Sequence, residues 1–130
     1  MSTHSLAEIY HRYLECLNER RWESLGEFVS DDATRNGKPM GLSGYREMLE
    51  ADIAALPDLE CVAEMVVIQD DLVASRLKFR CTPRRTFLGF EPIGTPISFA
   101  EHVFYRFRDK KIAQVWSVID TEAIAARMAR

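Results

Sequence analysis

Residues 97–120 read ISFAEHVFYRFRDKKIAQVWSVID, and this stretch decides the fold of the chain. Its apolar residues alternate with other residues at the period of two that a strand with one buried face requires. The alternating residues are Ile97, Phe99, Val103, Tyr105 and Phe107. Arg108, Asp109 and Lys110 supply a polar turn between the two halves. The stretch therefore predicts a hairpin of two long antiparallel strands.

Glu101 interrupts the apolar series of the first predicted strand. A bare carboxylate on a buried face is costly, so such a group is paired, protonated or kept for chemistry. An apolar surrounding also raises the pKa of a carboxyl toward the range in which it exchanges protons near neutral pH. Glu101 is therefore a candidate acid or base. The alternative is a structural ion pair with Arg76, Arg80 or a helix terminus.

Two registers are open for this hairpin, because a shift of one residue exchanges the two faces of a strand. A plain turn of two residues pairs Glu101 with Val118. A turn with one extra residue at Lys110 pairs Glu101 with Ser117 instead. Both registers keep Glu101 on the apolar face of its strand.

The composition is that of an ordinary globular domain. The chain has 130 residues, 47% of them hydrophobic and 28% charged, with a formal net charge of -3. This charge gives no general attraction to nucleic acid or to an anionic membrane, and no stretch of about 18 apolar residues predicts a membrane span. The three cysteines follow neither a disulfide nor a zinc pattern. We expect one cytoplasmic domain over residues 1–130.

Helical spacing of apolar residues predicts three helices before the hairpin, at 6–17, 22–29 and 43–56. Ser43 is the predicted cap of the third helix. Residues 59–68 are rich in valine and related residues, and residues 72–82 alternate cleanly between two faces. Each of these two segments predicts a strand.

The segments between these elements carry turn residues. Residues 30–32, Ser-Asp-Asp, predict a turn, and residues 33–41 predict no more than a short strand and a loop. Three prolines and two glycines predict a long loop or bent strand at 83–96, and a last short helix is expected at 121–128. Three helices followed by four antiparallel strands predict an α+β fold with the helices on one side of a curved sheet.

Three stretches of the chain match sequence motifs of one known family. Residues 55–79, ALPDLECVAEMVVIQDDLVASRLKF, are similar to an FPDL motif followed by a strand, an acidic turn and VA-R. Residues 86–97, TFLGFEPIGTPI, are similar to a T-x-x-G-x-x-P-x-G stretch, and residues 107–120 to a closing F-x-D-G-K-I-x-E-x-W-x-x-x-D. In these motifs the chain resembles the SnoaL-like polyketide cyclases of the nuclear transport factor 2-like superfamily. The resemblance implies a cone-shaped half-barrel, a curved antiparallel sheet packed on three N-terminal helices around an apolar pocket.

The resemblance also implies an activity. Cyclases of this family close a ring by intramolecular aldol condensation, with an aspartate as general acid and base and without metal or cofactor. Their aspartate falls at Ser117 of this chain and its histidine partner at Val103, so by hypothesis the acid–base work passes to Glu101. The family has glycine at position 110, which favours the register that pairs Glu101 with Ser117.

The predicted site combines candidate proton carriers with residues that contact a ligand. Glu101 and Asp120 are the candidate catalytic residues, and capping of the last helix is the alternative for Asp120. The predicted substrate-binding residues are Tyr13, Asn36, Phe79, Val103, Tyr105 and Ser117. The expected substrate is a hydrophobic, polyketide-like carbonyl compound, and the alternative is a non-catalytic binding or interaction module on the same fold.

Phe104 and Trp116 are predicted on the face of the sheet opposite Glu101. Two large aromatic side chains on one face indicate a covered surface, so we expect a homodimer formed through the outer sheet face. Arg76, Lys78 and Arg80 form a basic stripe on a neighbouring strand. It lacks interleaved aromatic residues, so it predicts a solvated face rather than nucleic-acid binding.

Overall fold

The computed structural model describes residues 5–128, so residues 1–4 and 129–130 of the predicted domain lie outside it. A 3₁₀ helix (Trp22–Glu27) stands between the first helix and the first strand. The other elements, in chain order, are α1 (Leu6–Asn18), β1 (Val29–Arg35), β2 (Lys38–Pro39), α2 (Gly41–Ala55), β3 (Glu60–Gln69), β4 (Leu72–Cys81), β5 (Ile97–Arg108), β6 (Lys111–Ile119) and α3 (Thr121–Met128). None of the helices within residues 5–128 is long and apolar enough to cross a membrane.

The six strands form one curved sheet in the order β2-β1-β6-β5-β4-β3. The helices cover its concave face, so the predicted α+β architecture is confirmed. The sheet is mixed rather than purely antiparallel, because β1 runs parallel to β6. This pairing joins segments that are far apart in the chain, and local patterns do not report it.

The second predicted helix is only a 3₁₀ helix, and the turn expected at 30–32 is wrong. The chain is already a strand at Val29, which pairs with Ile112 of β6. Arg108 donates hydrogen bonds to the side chains of both Ser30 and Asp32. Pairing with the sheet and these side-chain contacts override the local turn preference of the Ser-Asp-Asp segment.

The helix α2 begins at Gly41 rather than at a cap formed by Ser43, so that detail of the prediction is wrong. Gly41 has a φ of +70°, a conformation that favours glycine. A Cβ at this position would lie 3.0 Å from the backbone oxygen of Asp31. The close approach of the two backbones therefore sets the start of α2, two residues earlier than the sequence pattern indicates.

Asp109 and Lys110 form the turn of the main hairpin. Both residues have positive φ, 51° and 65°, as in the type I′ turns that match the twist of two strands. Arg108 pairs with Lys111 across the turn. The turn therefore has two residues, and the preferred prediction of an extra residue at Lys110 is wrong.

Ala113 is the extra residue, and it forms a β-bulge inside β6. Beyond the bulge the register differs from both predictions. Glu101 pairs with Ile119, rather than with Val118 or Ser117. A shift of one residue after a plain turn explains this result, and it restores the faces that the bulged-turn register assigned.

The two faces of the hairpin follow from this register. Val103 pairs with Ser117, and Phe104 pairs with Trp116. Directly opposite residues of neighbouring strands lie on the same face of a sheet. Val103, Ser117 and Glu101 therefore face the helices on the concave side, whereas Phe104 and Trp116 lie on the convex side.

Two buried clusters fill the concave side. The larger one packs α1, the 3₁₀ helix and the middle of the sheet, and it includes Tyr10, Tyr13 and Tyr105. The smaller one joins the end of α2 to α3 and to the loop at 83–96, in which the ring of Phe87 lies 5.8 Å from the ring of Phe99 at a tilt of 38°. Between the two clusters the packing is incomplete, and this gap is where the candidate site lies.

Candidate functional site

A cavity opens between α2 and the concave face of the sheet. About 90 Å³ of it is accessible to the centre of a water molecule. One water needs roughly 10–15 Å³ by this measure, so the cavity has room for several waters or for part of a small organic ligand. Its helical wall includes Tyr45, Met48, Leu49, Asp52, Ile53 and Leu56. Its sheet wall includes Arg35, Leu77, Phe79, Phe99, Glu101, Val103, Tyr105 and Val115.

Glu101 presents its carboxyl to this cavity from β5. The side chain is 14% exposed, and the hydroxyl of Ser117 donates a hydrogen bond to Oε2. Burial raises the pKa of the Glu101 carboxyl above its ordinary value, and the hydrogen bond from Ser117 and the charge of Arg35 oppose that rise. The carboxyl is thus held in one orientation, and its pKa is closer to neutral pH than that of an exposed glutamate.

Arg35 is the cation next to Glu101, and it was not among the site residues predicted from the sequence. Its Nη2 lies 3.9 Å from Oε2 of Glu101 and 3.4 Å from Oγ of Ser117. Neither distance is that of a strong hydrogen bond. Arg35 therefore stabilises negative charge at Glu101 without locking the carboxylate in a tight salt bridge. Arg76 and Arg80 were the partners considered from the sequence. They lie opposite His102 and Ser98 of β5, on the face of the sheet that does not carry Glu101.

Asn36 lies outside the cavity lining and holds Ser117 in place. The backbone N–H of Ser117 donates to Oδ1 of Asn36 at 2.9 Å, and Nδ2 of Asn36 lies 3.4 Å from the carbonyl oxygen of Ser117. Asn36 has a φ of 49° at the start of the two-residue turn between β1 and β2. Its contacts make it a support for the hydroxyl that binds Glu101.

Tyr13 and Tyr45 place a pair of hydroxyl groups at the cavity. Their oxygen atoms lie 2.6 Å apart, and both side chains are buried. Burial raises the pKa of each hydroxyl, so both keep their protons. Only one O–H donates within the pair, which leaves the other O–H available to a ligand oxygen. Tyr13 was predicted as a ligand contact, whereas Tyr45 was not among the predicted site residues.

The other predicted residues divide between the cavity and its edge. Phe79, Val103 and Tyr105 line the cavity, and their contact with a ligand stays a prediction. Ser117 reaches the site through its hydrogen bond to Glu101. Asp120 is exposed, and its Oδ1 accepts a hydrogen bond from the backbone N–H of Ala123 at 3.0 Å. This contact caps α3, which is the alternative considered for Asp120.

Asp52 is a second carboxyl in the lining of the cavity. Burial raises its pKa to about 6, with a further rise from the negative charge of Glu101 and an opposing effect of Arg35. A pKa in this range lets a carboxyl exchange protons near neutral pH. The sequence carried a signal for Asp52, because it stands three residues after Leu49 and four before Leu56 on the apolar side of the helix.

No group of three His, Cys, Asp or Glu side chains within residues 5–128 is arranged to hold a metal ion. Cys16, Cys61 and Cys81 are free and buried. Burial raises the pKa of Cys61, which also lines the cavity, to about 12. That thiol therefore stays protonated and unreactive at neutral pH.

Comparison with known proteins identifies the family and the fold. A family profile described as SnoaL-like polyketide cyclase matches residues 7–127. A crystal structure of a SnoaL-like polyketide cyclase from Agrobacterium tumefaciens is 44% identical to this chain, with a TM-score of 0.94. The match covers 98% of this chain and 100% of that chain.

More distant solved structures share the fold. IdmH from Streptomyces antibioticus, a proposed polyketide cyclase, is 24% identical with a TM-score of 0.86, over 98% of this chain and 100% of that one. AclR from Streptomyces galilaeus, a proposed hydroxylase, is 22% identical with a TM-score of 0.79, over 95% and 97%. At these identities the likeness shows the fold alone. None of the curated proteins matches the sequence.

Proposed function

This chain belongs to the SnoaL-like polyketide cyclase family, and we propose that it is a cytoplasmic, cofactor-free enzyme that transfers protons on a hydrophobic carbonyl compound. One observation carries the proposal. The Glu101 carboxyl faces an apolar cavity, its pKa is raised by burial, and the Ser117 hydroxyl is its one hydrogen-bond donor among residues 5–128. A carboxyl in this environment is suited to general acid–base catalysis.

Glu101 is the proposed general base. Its ionised carboxylate takes a proton from the carbon next to a substrate carbonyl group, and the electrons of that C–H bond form an enolate. The hydroxyl of Ser117 and the charge of Arg35 favour the ionised form before the transfer. Because these two groups also fix the carboxylate, little reorganisation is needed when the proton moves.

The hydroxyl pair of Tyr13 and Tyr45 is the proposed partner of the carbonyl oxygen. The O–H that is not used within the pair donates to the oxygen as negative charge develops on it. Such a donor acts most strongly where water is excluded, and both rings are buried. Phe79, Val103 and Tyr105 supply the apolar surface that binds the remainder of the substrate.

Exchange of ketone protons in heavy water tests the proposed role of Glu101. Tetralone, a hydrophobic cyclic ketone, serves as the probe, and NMR follows the replacement of its α-protons by deuterium. Glu101→Gln keeps the shape of the side chain but removes the base, so we expect exchange to slow about 100-fold or more. Glu64→Gln is the matched control, because Glu64 is exposed and pairs with Arg76 at 3.2 Å.

Two results would contradict the proposed role. One is a Glu101→Gln protein that exchanges tetralone protons as fast as the unaltered protein. The other is an unaltered protein that binds tetralone but adds nothing to the rate of exchange in buffer. The second result would favour the alternative of a non-catalytic binding module. That alternative is supported by Ser117 and Val103, which occupy the positions of the family's acid–base residues.

We also propose that the convex face of the sheet binds a second copy of the chain. Val67, Ala74, Phe104 and Trp116 are paired in series across β3, β4, β5 and β6, so they form one row on this face. Phe104 is 52% exposed, and the nearby Val118 is 70% exposed. An apolar patch of this kind on a sheet face supports a homodimer.

Light scattering at micromolar concentration tests the dimer. We expect the unaltered chain to have the mass of a dimer and Phe104→Glu to have that of a monomer, because a charge in the centre of the patch opposes its burial. Leu88→Glu is the control, since Leu88 is an exposed apolar residue of the 83–96 loop. A monomeric unaltered chain, or a Phe104→Glu protein that still dimerises, would contradict the proposal.

A further inference from the structure

Asp52 and Glu101 stand on opposite walls of the cavity. Asp52 projects from α2 and Glu101 from β5, and both line the same space. Within residues 5–128, the Asp52 carboxyl makes no hydrogen bond and no ion pair. A half-buried carboxyl without a partner lowers the stability of the folded chain. An apolar residue would pack better at this position on the apolar side of α2. Packing therefore does not explain Asp52, and a function in the cavity does.

Among residues 5–128, three charged residues besides Asp52 line the cavity, namely Arg20, Arg35 and Glu101, together with the uncharged thiol of Cys61 and hydroxyl of Tyr105. Glu101 and Arg35 act on it through their charges, and the hydroxyls of Tyr13 and Tyr45 line the same cavity. Arg20 is also in the lining, but its guanidinium donates to the backbone carbonyls of Leu17, Asn18, Pro57 and Leu59. Arg20 is thus used to tie α1 to the chain after α2 and is not a partner of Asp52.

The two carboxyls have different surroundings. Glu101 receives the hydroxyl of Ser117 and lies 3.9 Å from Arg35, and both favour its ionised form. Asp52 receives no donor, and the negative charge of Glu101 favours its protonated form. When the surroundings of two carboxyls in one site push their pKa values apart in this manner, one carboxyl serves as the base and the other as the acid.

We propose that Asp52 is a second catalytic residue, the general acid that protonates the oxygen of a second carbonyl group during ring closure. This inference rests on the proposed function of Glu101. It also places the two carbonyl groups of such a substrate, one near each wall of the cavity.

The proposed step balances in protons and electrons. Glu101 carboxylate takes the α-proton, and the electron pair of the C–H bond forms the enolate. The enolate then forms a new C–C bond to the second carbonyl carbon. The π electrons of that carbonyl group move to its oxygen, which takes the proton of Asp52. The products are a cyclic hydroxyketone, a protonated Glu101 and an ionised Asp52. Water in the open part of the cavity returns the proton from one carboxyl to the other.

The symmetric heptanedione with a carbonyl at each penultimate carbon is the probe. Its methyl protons report abstraction by Glu101 through deuterium exchange, and its closure to a six-membered ring reports the complete reaction. For Asp52→Asn we expect exchange within about two-fold of the unaltered protein and closure about 100-fold slower, because only the acid is lost. Glu101→Gln should lose both activities. Glu50→Gln, which removes an exposed carboxyl from the same helix, should lose neither.

The pH dependence of closure gives a second readout that a structural role would not produce. Closure by the unaltered protein should fall as pH rises through about 6, because Asp52 then loses its proton. The residual closure of Asp52→Asn should lack this fall. Carbon NMR of the carboxyl groups should show that the pKa of Asp52 decreases in Glu101→Gln, where the neighbouring charge is absent.

The outcomes separate the two proposals. If Glu101→Gln abolishes exchange but Asp52→Asn closes the ring at the unaltered rate, the role of Asp52 is overturned and that of Glu101 stands. If the unaltered protein neither exchanges nor closes heptanedione, both proposals fall. If Asp52→Asn loses exchange and closure equally, Asp52 supports the site without acting as the acid, and the inference is wrong.

Discussion

The concave and convex faces of the sheet carry similar residues in different environments. Each face has a glutamate near an arginine: Glu101 with Arg35 at 3.9 Å, and Glu64 with Arg76 at 3.2 Å. The side chain of Glu101 is 14% exposed and that of Glu64 is 41% exposed. Burial, rather than the presence of a cation, therefore distinguishes a candidate proton carrier from an ordinary surface ion pair.

The largest difference between the faces should appear in stability. Val73 faces the core and is 0% exposed, whereas Val62 lies on the other side of the sheet and is 49% exposed. We expect Val73→Ala to lower the free energy of unfolding by about 2 kcal/mol, since it leaves a cavity in a packed region. The same change at Val62 should stay within about 0.5 kcal/mol.

Urea unfolding followed by circular dichroism measures both variants. A similar loss in the free energy of unfolding for Val73→Ala and Val62→Ala would contradict the prediction, because the concave side would then not be the packed one. Val62 is a suitable control since it lies outside the row formed by Val67, Ala74, Phe104 and Trp116 on the proposed dimer surface.

A buried and an exposed aspartate should respond to pH with opposite signs. The folded pKa of Asp52 is about 6, above the ordinary value near 3.9 of an unfolded chain. The folded state therefore binds more protons between these values, and this part of its stability is lost as pH rises through them. We expect Asp52→Asn to raise the free energy of unfolding near neutral pH by about 1–2 kcal/mol.

Asp58 supplies the contrasting case. It is exposed, and its Oδ1 accepts a hydrogen bond from the backbone N–H of Thr82 at 2.7 Å, which lowers its pKa. Its contribution to stability is present above the unfolded pKa and is lost as pH falls, so Asp58→Ala should destabilise the protein near neutral pH. Unfolding curves recorded from pH 4 to pH 8 check both signs. Equal signs for the two variants would refute the assignment of Asp52 as a cavity-facing carboxyl with a raised pKa.

The smallest effect concerns the rim where the two faces meet. Asp120→Ala should remove the cap of α3 and lower stability by about 1 kcal/mol. Exchange of tetralone protons should not change, because the Asp120 side chain is outside the cavity. A large loss of exchange with unchanged stability would restore Asp120 as a candidate proton carrier.

The sequence was sufficient to predict which face of the sheet carries Glu101, but not which residues surround its carboxyl. Alternation along β5 depends only on neighbouring residues, so it predicts which side chains share a face. The bulge at Ala113 and the pairing of β1 with β6 depend on contacts between distant segments. Arg35 was therefore missed, since its strand was interpreted as a turn followed by no more than a short strand and a loop.

The helical wall shows a different limit. The apolar stripe of α2 was visible, and Asp52 occupies a position within it. A single acidic residue in such a stripe is ambiguous, because a small rotation of the helix carries it to solvent. The packing of α2 against β1 sets the rotation, and only the folded chain supplies it.

Titration of the Glu101 carboxyl by carbon NMR tests the central claim most directly. The measurement needs only the unaltered protein and Glu101→Gln to assign the resonance. We predict a pKa clearly above the ordinary value of about 4.3 for glutamate, because burial opposes ionisation more strongly than Ser117 and Arg35 favour it. A pKa at or below that value would show a stabilised ion pair and would contradict the account.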